Sequence, residues 1–261
     1  MSASRRFATA YVAVALLAGP AAAQSGESNA KGWLWRQCNE DVLILDLDPV
    51  PLQQFVGSEF TVLVTDGKAR VIIVVQDCAS SWFDGVEIGP TQEVHEWVAI
   101  EAQPDMRPVP GAQHTLPTLT WFALFTGSSN DRSRTLLTAS GTPTLPIESL
   151  SLEPFAPVQR GRLSAGPHGS YSWEARSEPS FARLVAVNHD VYVRDSSGQV
   201  VLNRIQALLN VFAWESTGTL TVVGATNPNG LIGPGTYPIS VHTFRPLWAG
   251  ASLGAETANR L

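Results

Sequence analysis

An acid and a histidine two residues apart form the pair in this sequence best suited to proton chemistry. Glu93 and His95 lie in residues 89–95 (GPTQEVH), and alternate residues of a β-strand point to the same face. A carboxylate in apolar surroundings holds its proton more tightly, and histidine is the usual general base, so together they can move a proton. The alternative is that this face is external and both side chains are solvated.

Two further candidates lie in the second half of the chain. His168 follows Gly166-Pro167 in a turn where a ligand can reach it, and is a candidate catalytic residue. Arg160 is a candidate ligand-binding residue, because a guanidinium binds a carboxylate through two parallel hydrogen bonds. The alternative is a surface hairpin with cross-strand ion pairs of little energetic value, formed by Arg160, Arg162, Glu174 and Arg176.

Several enzyme classes have no motif here. The sequence contains no H-E-x-x-H, no G-x-S-x-G, no glycine-rich phosphate loop and no dinucleotide-binding fingerprint. No paired histidine or C-x-x-C spacing points to a metal. We therefore expect neither a metal nor a cofactor.

Composition and the first residues bear on compartment and partners. Residues 1–23 combine Arg5 and Arg6, an apolar run and three alanines, which predicts a cleaved signal peptide and a periplasmic or secreted protein. The apolar run is too short to span a bilayer, so no membrane insertion is expected after cleavage. The net charge is −6 and the chain has two lysines, Lys31 and Lys68, which argues against binding nucleic acid. The sequence gives no indication of oligomeric state.

Two cysteines, Cys38 and Cys78, are the only ones in the chain. In an oxidising compartment they predict one disulfide. The alternative is a pair of buried free thiols.

The pattern of elements predicts a strand-rich α+β protein, mostly antiparallel. Residues 24–41 read as a flexible N-terminal segment and residues 42–261 as a single domain. Strands are expected at Val42–Leu47, on both sides of an Asp-Gly turn at 66–67, and at 92–101, 119–125 and 145–152. Helices are expected after Pro49, at 129–139 with Ser129 as the cap, and within Val200–Phe212.

The order of these elements resembles the acetoacetate decarboxylase-like superfamily. The resemblance rests on the Asp-Gly hairpin, the G-P-x-x-E-V strand ending at Val94, and the segment Gly141-Thr142-Pro143-Thr144 after a helix. It covers about residues 42–155. It implies a closed β-cone or barrel of antiparallel strands with two short helices, enclosing an apolar cavity.

The resemblance also implies a reactive lysine, which this chain lacks at the expected position. In that family a lysine in the cavity forms an imine with a ketone or keto acid. The position expected for it, straight after the proline, is Thr144. Lys68 lies at a hairpin tip, where water solvates its ammonium group, and Lys31 lies in the N-terminal segment. Schiff-base decarboxylation is therefore excluded on this alignment, whereas acid–base chemistry stays open.

Two functions follow as expectations. The first is an exported cone protein that binds a small apolar or carbonyl-containing molecule, with Trp97, Trp121, Thr144 and Arg160 as ligand-binding residues and no cofactor. Glu93, His95 or His168 would supply any catalysis. The alternative is a non-catalytic structural or interaction protein of the cell envelope. An apolar cavity faced by Glu93 distinguishes the first from the second.

Overall fold

The computed structural model describes residues 32–101, 118–139, 141–153, 158–177, 181–224, 230–246 and 252–260. The expected signal peptide and residues 24–31 lie outside the described residues. The described residues form two helices, α1 (Pro49–Val56) and α2 (Asp131–Ala139), and one 3-10 turn at Gly166–His168. The strands are β1 (Gly32–Leu47), β2 (Val64–Thr65), β3 (Lys68–Phe83), β4 (Val86–Ala99), β5 (Thr118–Ser128), β6 (Leu145–Pro146), β7 (Ser149–Leu152), β8 (Val158–Ser164), β9 (Ser170–Ser177), β10 (Phe181–Arg194), β11 (Val200–Val223), β12 (Gly235–Pro246) and β13 (Ser252–Arg260).

One curled sheet contains all thirteen strands. Its order is β10-β5-β4-β3-β1-β12-β11-β9-β8-β7, and β10 also pairs with β11, which brings the two sides of the sheet round to meet. The pairings are antiparallel except for β5 with β10 and β5 with β6. This confirms the expected mostly antiparallel α+β fold with two short helices.

The hydrogen-bonded ladders do not form one uninterrupted ring. The first part of β1 pairs with β13 at residues 32–36, and the later part pairs with β12 at residues 40–44. β11 changes partner in the same way, from β13 to β12. The curled sheet is therefore a cone whose strands exchange neighbours along their length.

Apolar side chains occupy both faces of the central strands. On β3, Val71, Ile73 and Val75 belong to one core, and Ile72 and Val74 to the other. β3 is therefore a central strand that is covered on both sides. The larger core also contains residues of α1, β8, β9, β11 and β12. The second, which we call the tryptophan core, contains Trp33, Trp35, Ile72, Val74, Cys78, Trp97, Ala99, Trp121, Leu137, Val191, Val193 and Ile205.

Local sequence accounts for both helices and for the first hairpin. Asp48 caps α1 by accepting a hydrogen bond from the backbone N–H of Val50. Asp66 and Gly67 have φ values of 52° and 74°, as the tight turn between β2 and β3 requires. The cap of α2 is Asn130, whose Oδ1 accepts from two backbone N–H groups. Ser129, the expected cap, lies one residue too early.

The prediction of a helix within residues 200–212 is wrong. These residues form the first half of β11, which pairs with β10 on one side and with β13 on the other. The segment (VVLNRIQALLNVF) has a spacing of apolar residues compatible with either structure. Pairing with distant strands decides it, because a short apolar run does not distinguish a buried strand from a buried helix.

Strand β1 begins ten residues earlier than the sequence indicated. Its first part includes Trp33 and Trp35, both buried, and belongs to the sheet rather than to a flexible start. Cys38 lies opposite Cys78 on β3, and the two form a disulfide with a Cα–Cα distance of 3.9 Å. The expected disulfide is therefore present.

A buried ion pair ties β1 to β12. Arg245 and Asp41 are 1% and 0% exposed, and Nη2 of Arg245 lies 2.9 Å from Oδ1 of Asp41. The indole of Trp173 donates to the other carboxylate oxygen at 3.0 Å. Arg245 also donates to the backbone oxygens of Glu40, Phe244 and Glu153. Buried charges are stable only when paired and hydrogen-bonded in this way.

Candidate functional site

Glu93 is fully buried and held by donors from three separate elements. Its Oε2 accepts from Nε1 of Trp35 on β1 at 3.0 Å and from Nε2 of Gln76 on β3 at 3.1 Å. Its Oε1 accepts from Oγ of Ser133 on α2 at 2.7 Å. The exposed fraction of Glu93 is 0%, so the alternative in which this acid is solvated does not describe the protein.

His95 lies beside this carboxylate, on the same face of β4. Its Nε2 is 3.4 Å from Oε2 of Glu93, and 9% of the residue is exposed. Contacts between catalytic groups are often long in the absence of a ligand and shorten when one binds. The structure therefore brings together the acid and the histidine that the sequence singled out.

Rings continue from His95 into the tryptophan core. The centroids of His95 and Trp97 are 5.7 Å apart, and those of Trp97 and Trp121 are 6.4 Å apart. His189 on β10 lies 5.8 Å from Trp97 and 6.2 Å from Trp121. Nε1 of Trp121 donates to Nδ1 of His189 at 2.8 Å. We call these five residues, Glu93, His95, Trp97, Trp121 and His189, the Glu93 site.

The two histidines of the Glu93 site have different surroundings. His95 is next to a carboxylate, whereas His189 is flanked by two indoles. Burial lowers the pKa of His189 to about 4, because desolvation penalises the charged imidazolium. His189 is consequently a neutral imidazole at physiological pH.

A second acid lies near the donors to Glu93. Glu40 on β1 is directly opposite Gln76 on β3, so the two side chains share a face. Burial of the Glu40 carboxyl raises its pKa to about 7; the charge of Asp41 adds to this rise and that of Arg245 opposes it.

The remaining predicted site residues lie elsewhere. The Arg160 guanidinium pairs with Glu174 at 2.9 Å, and 55% and 59% of the two side chains are exposed. Neither Arg160 nor His168 is among the described hydrogen-bond donors to Glu93. His168 is half-buried in the 3-10 turn between β8 and β9. Thr144 donates to the backbone oxygen of Thr142 at 2.8 Å and lies after α2.

Arg160 lines a groove of about 370 Å³ on the outer side of β7, β8, β9 and β11. Its lining is mainly hydroxyl and charged: Ser151, Glu153, Arg160, Gly161, Arg162, Ser172, Trp173, Glu174, Thr219 and Thr221. This groove is separate from the described contacts of the Glu93 site, and its ion pair is of the exposed kind that contributes little.

The lysines take no part in the described site. Lys68 is exposed at the start of β3, next to the turn at Asp66 and Gly67, and Lys31 lies outside the described residues. Among the described residues no helix combines the length and apolar character needed to cross a membrane.

Four residues of this arrangement were not identified from the sequence: Trp35, Gln76, Ser133 and His189. Trp35 lies 58 residues from Glu93 and Ser133 lies 40 residues from it, so no local spacing connects them. His189 lies 68 residues from Trp121. The strand order and the position of α2 against the sheet bring these side chains together.

Several solved structures have a similar fold, and the match covers most of this chain. Acetoacetate decarboxylase from Legionella pneumophila is 12% identical, with a TM-score of 0.56, and the match covers 89% of this chain and 88% of that one. The enduracididine biosynthesis enzyme MppR, complexed with the condensation product of pyruvate and imidazole 4-carboxaldehyde, is 14% identical with a TM-score of 0.56, covering 89% and 90%. An acetoacetate decarboxylase-like enzyme from Sphingomonas wittichii is 12% identical with a TM-score of 0.52, covering 89% and 93%.

No protein-family model matches the chain, and no curated protein matches it by sequence. The likeness is therefore one of fold, and it agrees with the order of elements that the sequence indicated. The chain has the fold of the acetoacetate decarboxylase-like superfamily.

Proposed function

We propose that this protein binds a small carbonyl-containing molecule at the Glu93 site and acts on it by acid–base chemistry, without an imine. The observation that carries the proposal is the burial of Glu93. A buried carboxylate is costly unless several donors satisfy it, and here Trp35, Gln76 and Ser133 do so from three elements. The chain holds this acid beside His95, whose ring is followed by those of Trp97 and Trp121.

The reaction class that suits these groups is proton abstraction next to a carbonyl. His95 would take the proton from the α-carbon, the C–H electron pair would move into the C–C bond to the carbonyl, and negative charge would develop on the carbonyl oxygen as an enolate. Glu93 would stabilise the imidazolium that forms on His95, as a carboxylate does behind a catalytic histidine. Returning the proton to carbon completes an exchange or an isomerisation.

The solved relatives support the ligand class. One structure of similar fold, that of MppR, contains pyruvate, and another contains a condensation product of pyruvate. The aromatic rings of Trp97 and Trp121 suit an apolar or planar molecule of similar size. We further propose that the protein is exported, on the basis of residues 1–23 and the Cys38–Cys78 disulfide.

The first experiment measures α-proton exchange. The mature protein is incubated with pyruvate in D₂O, and loss of the methyl signal is followed by proton NMR. We expect exchange above the buffer rate, a loss of about 100-fold or more in His95→Gln, and no change in Lys68→Arg. Borohydride should trap no adduct.

The same protein, purified from the periplasm, is examined by native mass spectrometry. A retained small molecule supports the ligand-binding function, and an N-terminus at Gln24 supports export. If the protein shows no exchange and retains no small molecule, the result favours the alternative, a structural or interaction protein of the envelope. An adduct on Lys68 would overturn the imine-free chemistry.

A further inference from the structure

His189 lies beside two tryptophans of the Glu93 site, Trp97 and Trp121. Strand β10 runs parallel to β5, with His189 opposite Leu119, and the imidazole contacts the rings of Trp97 and Trp121. His95 contacts Trp97 as well, at 5.7 Å. Two imidazoles of different character therefore border one indole ring.

The hydrogen bond from Trp121 sets the tautomer of His189. An indole N–H can only donate, so Nδ1 of His189, 2.8 Å away, must accept. In a neutral imidazole the proton then resides on Nε2. The pKa of His189, lowered to about 4 by burial, keeps the ring neutral over the whole physiological range.

The Nε2–H group of His189 has no acceptor among the described residues, and the side chain is half-buried. An N–H on a half-buried ring can donate to water in the free protein, and a ligand oxygen that displaces this water takes over the hydrogen bond. The surrounding indole rings lower the local dielectric, which strengthens a hydrogen bond from this N–H to a carbonyl oxygen.

We infer that Nε2–H of His189 donates to the carbonyl oxygen of the ligand, which makes His189 the residue that selects carbonyl compounds. This inference rests on the proposed function. With the oxygen at His189 and the α-carbon toward His95, a neutral donor stabilises the charge that develops on the oxygen, while the base removes the proton. Trp121 is the positioning residue, because it acts only through the tautomer of His189.

The test uses pyruvate labelled with ¹³C at its keto carbon. On binding to the unchanged protein, the keto signal should move downfield, as hydrogen bonding polarises the carbonyl. His189→Asn keeps an acceptor near the Nδ1 position for Trp121 and removes the donor at Nε2. We expect it to lose the downfield shift and to weaken binding about tenfold, as for one lost hydrogen bond.

His189→Gln is the matched variant, since its side-chain amide places a donor near the former Nε2 position and should restore most of the shift. A second measurement needs no substitution: ¹⁵N NMR of the histidines should show His189 protonated at Nε2 alone, with that resonance moving when pyruvate is added. This reading does not depend on the folding of a variant.

The outcomes separate this inference from the proposed function. Equal affinity and an equal carbonyl shift in the unchanged protein and in His189→Asn would overturn the role of His189 and leave the function of the Glu93 site standing. A proton on Nδ1 would overturn it as well. Absence of pyruvate binding in the unchanged protein would count against the proposed function itself.

Discussion

Breaking the buried ion pair between Asp41 and Arg245 should destabilise the protein far more than breaking an exposed one. Asp41→Asn keeps the shape of the side chain and an acceptor for the indole of Trp173, but it removes the carboxylate charge that pairs with the buried Arg245 guanidinium. Removing one partner of such a pair costs about 3–5 kcal/mol. A domain of this size is stable by about 5–15 kcal/mol in total, so the loss is a large fraction.

Arg245→Met should cost at least as much. It leaves the Asp41 carboxylate with the indole N–H of Trp173 as its remaining described donor, and it removes the donor to three backbone oxygens. The double variant Asp41→Asn with Arg245→Met removes both charges of the pair together, and we expect its cost to be smaller than the sum of the two single costs by about 2 kcal/mol.

Urea unfolding, followed by tryptophan fluorescence, measures each free energy. The matched control is the exposed pair of Asp46 on β1 and Arg70 on β3, which are 3.3 Å apart, with 57% of the Arg70 side chain and 54% of the Asp46 side chain exposed. Asp46→Asn should cost less than about 1 kcal/mol. If Asp41→Asn proves no more costly than Asp46→Asn, at an unchanged dependence on urea, the buried pair does not stabilise the fold as argued.

Three further changes have defined outcomes. Replacing Cys38 and Cys78 by serine should lower the free energy of unfolding by about 3–4 kcal/mol, since the bridge closes a loop of 40 residues. Gly161→Ala would place Cβ 1.9 Å from the indole of Trp173 and should cost about 3 kcal/mol or prevent folding. The pKa of Glu40 is about 7 in the folded state against 4.5 normally. Its contribution to the free energy of unfolding should be fully present below about pH 4.5 and fall by on the order of 3 kcal/mol as the pH rises to 7, and Glu40→Gln should remove this fall.

Each of these three has a control. Mild reduction of the unchanged protein should reproduce the serine variants. Gly233→Ala should be neutral, because the nearest atom to its Cβ is 4.0 Å away. Glu59→Gln, at an exposed acid, should leave the pH profile as it is. A stable Gly161→Ala, or a Glu40→Gln profile with the original slope, would contradict the packing and the burial on which these predictions depend.

The elements whose signals are local were predicted from the sequence. Asp48 and the prolines mark the start of α1, and Asp66-Gly67 marks the hairpin, because each sets the backbone of its immediate neighbours. The alternation along β4 predicted the shared face of Glu93 and His95. These are properties of a few adjacent residues, and the surrounding fold does not alter them.

Features that depend on distant pairing were not predicted. The first half of β11 was expected to be helical, and the strand order overrides that pattern by supplying partners on both sides. The donors to Glu93 come from β1, β3 and α2, so their convergence follows from topology and not from spacing. His189 carried no signal, because its character derives from the indole of Trp121, far away in the chain.

The Cys38–Cys78 bridge has a consequence for how the molecule opens. It lies between the two stretches of β1 that face different neighbours, residues 32–36 toward β13 and 40–44 toward β12. Fraying that starts at β13 should therefore stop at the crosslink instead of running on into the ladder with β12. Amide protons on the two sides should exchange with solvent in two separate classes, and the classes should merge once the bridge is reduced.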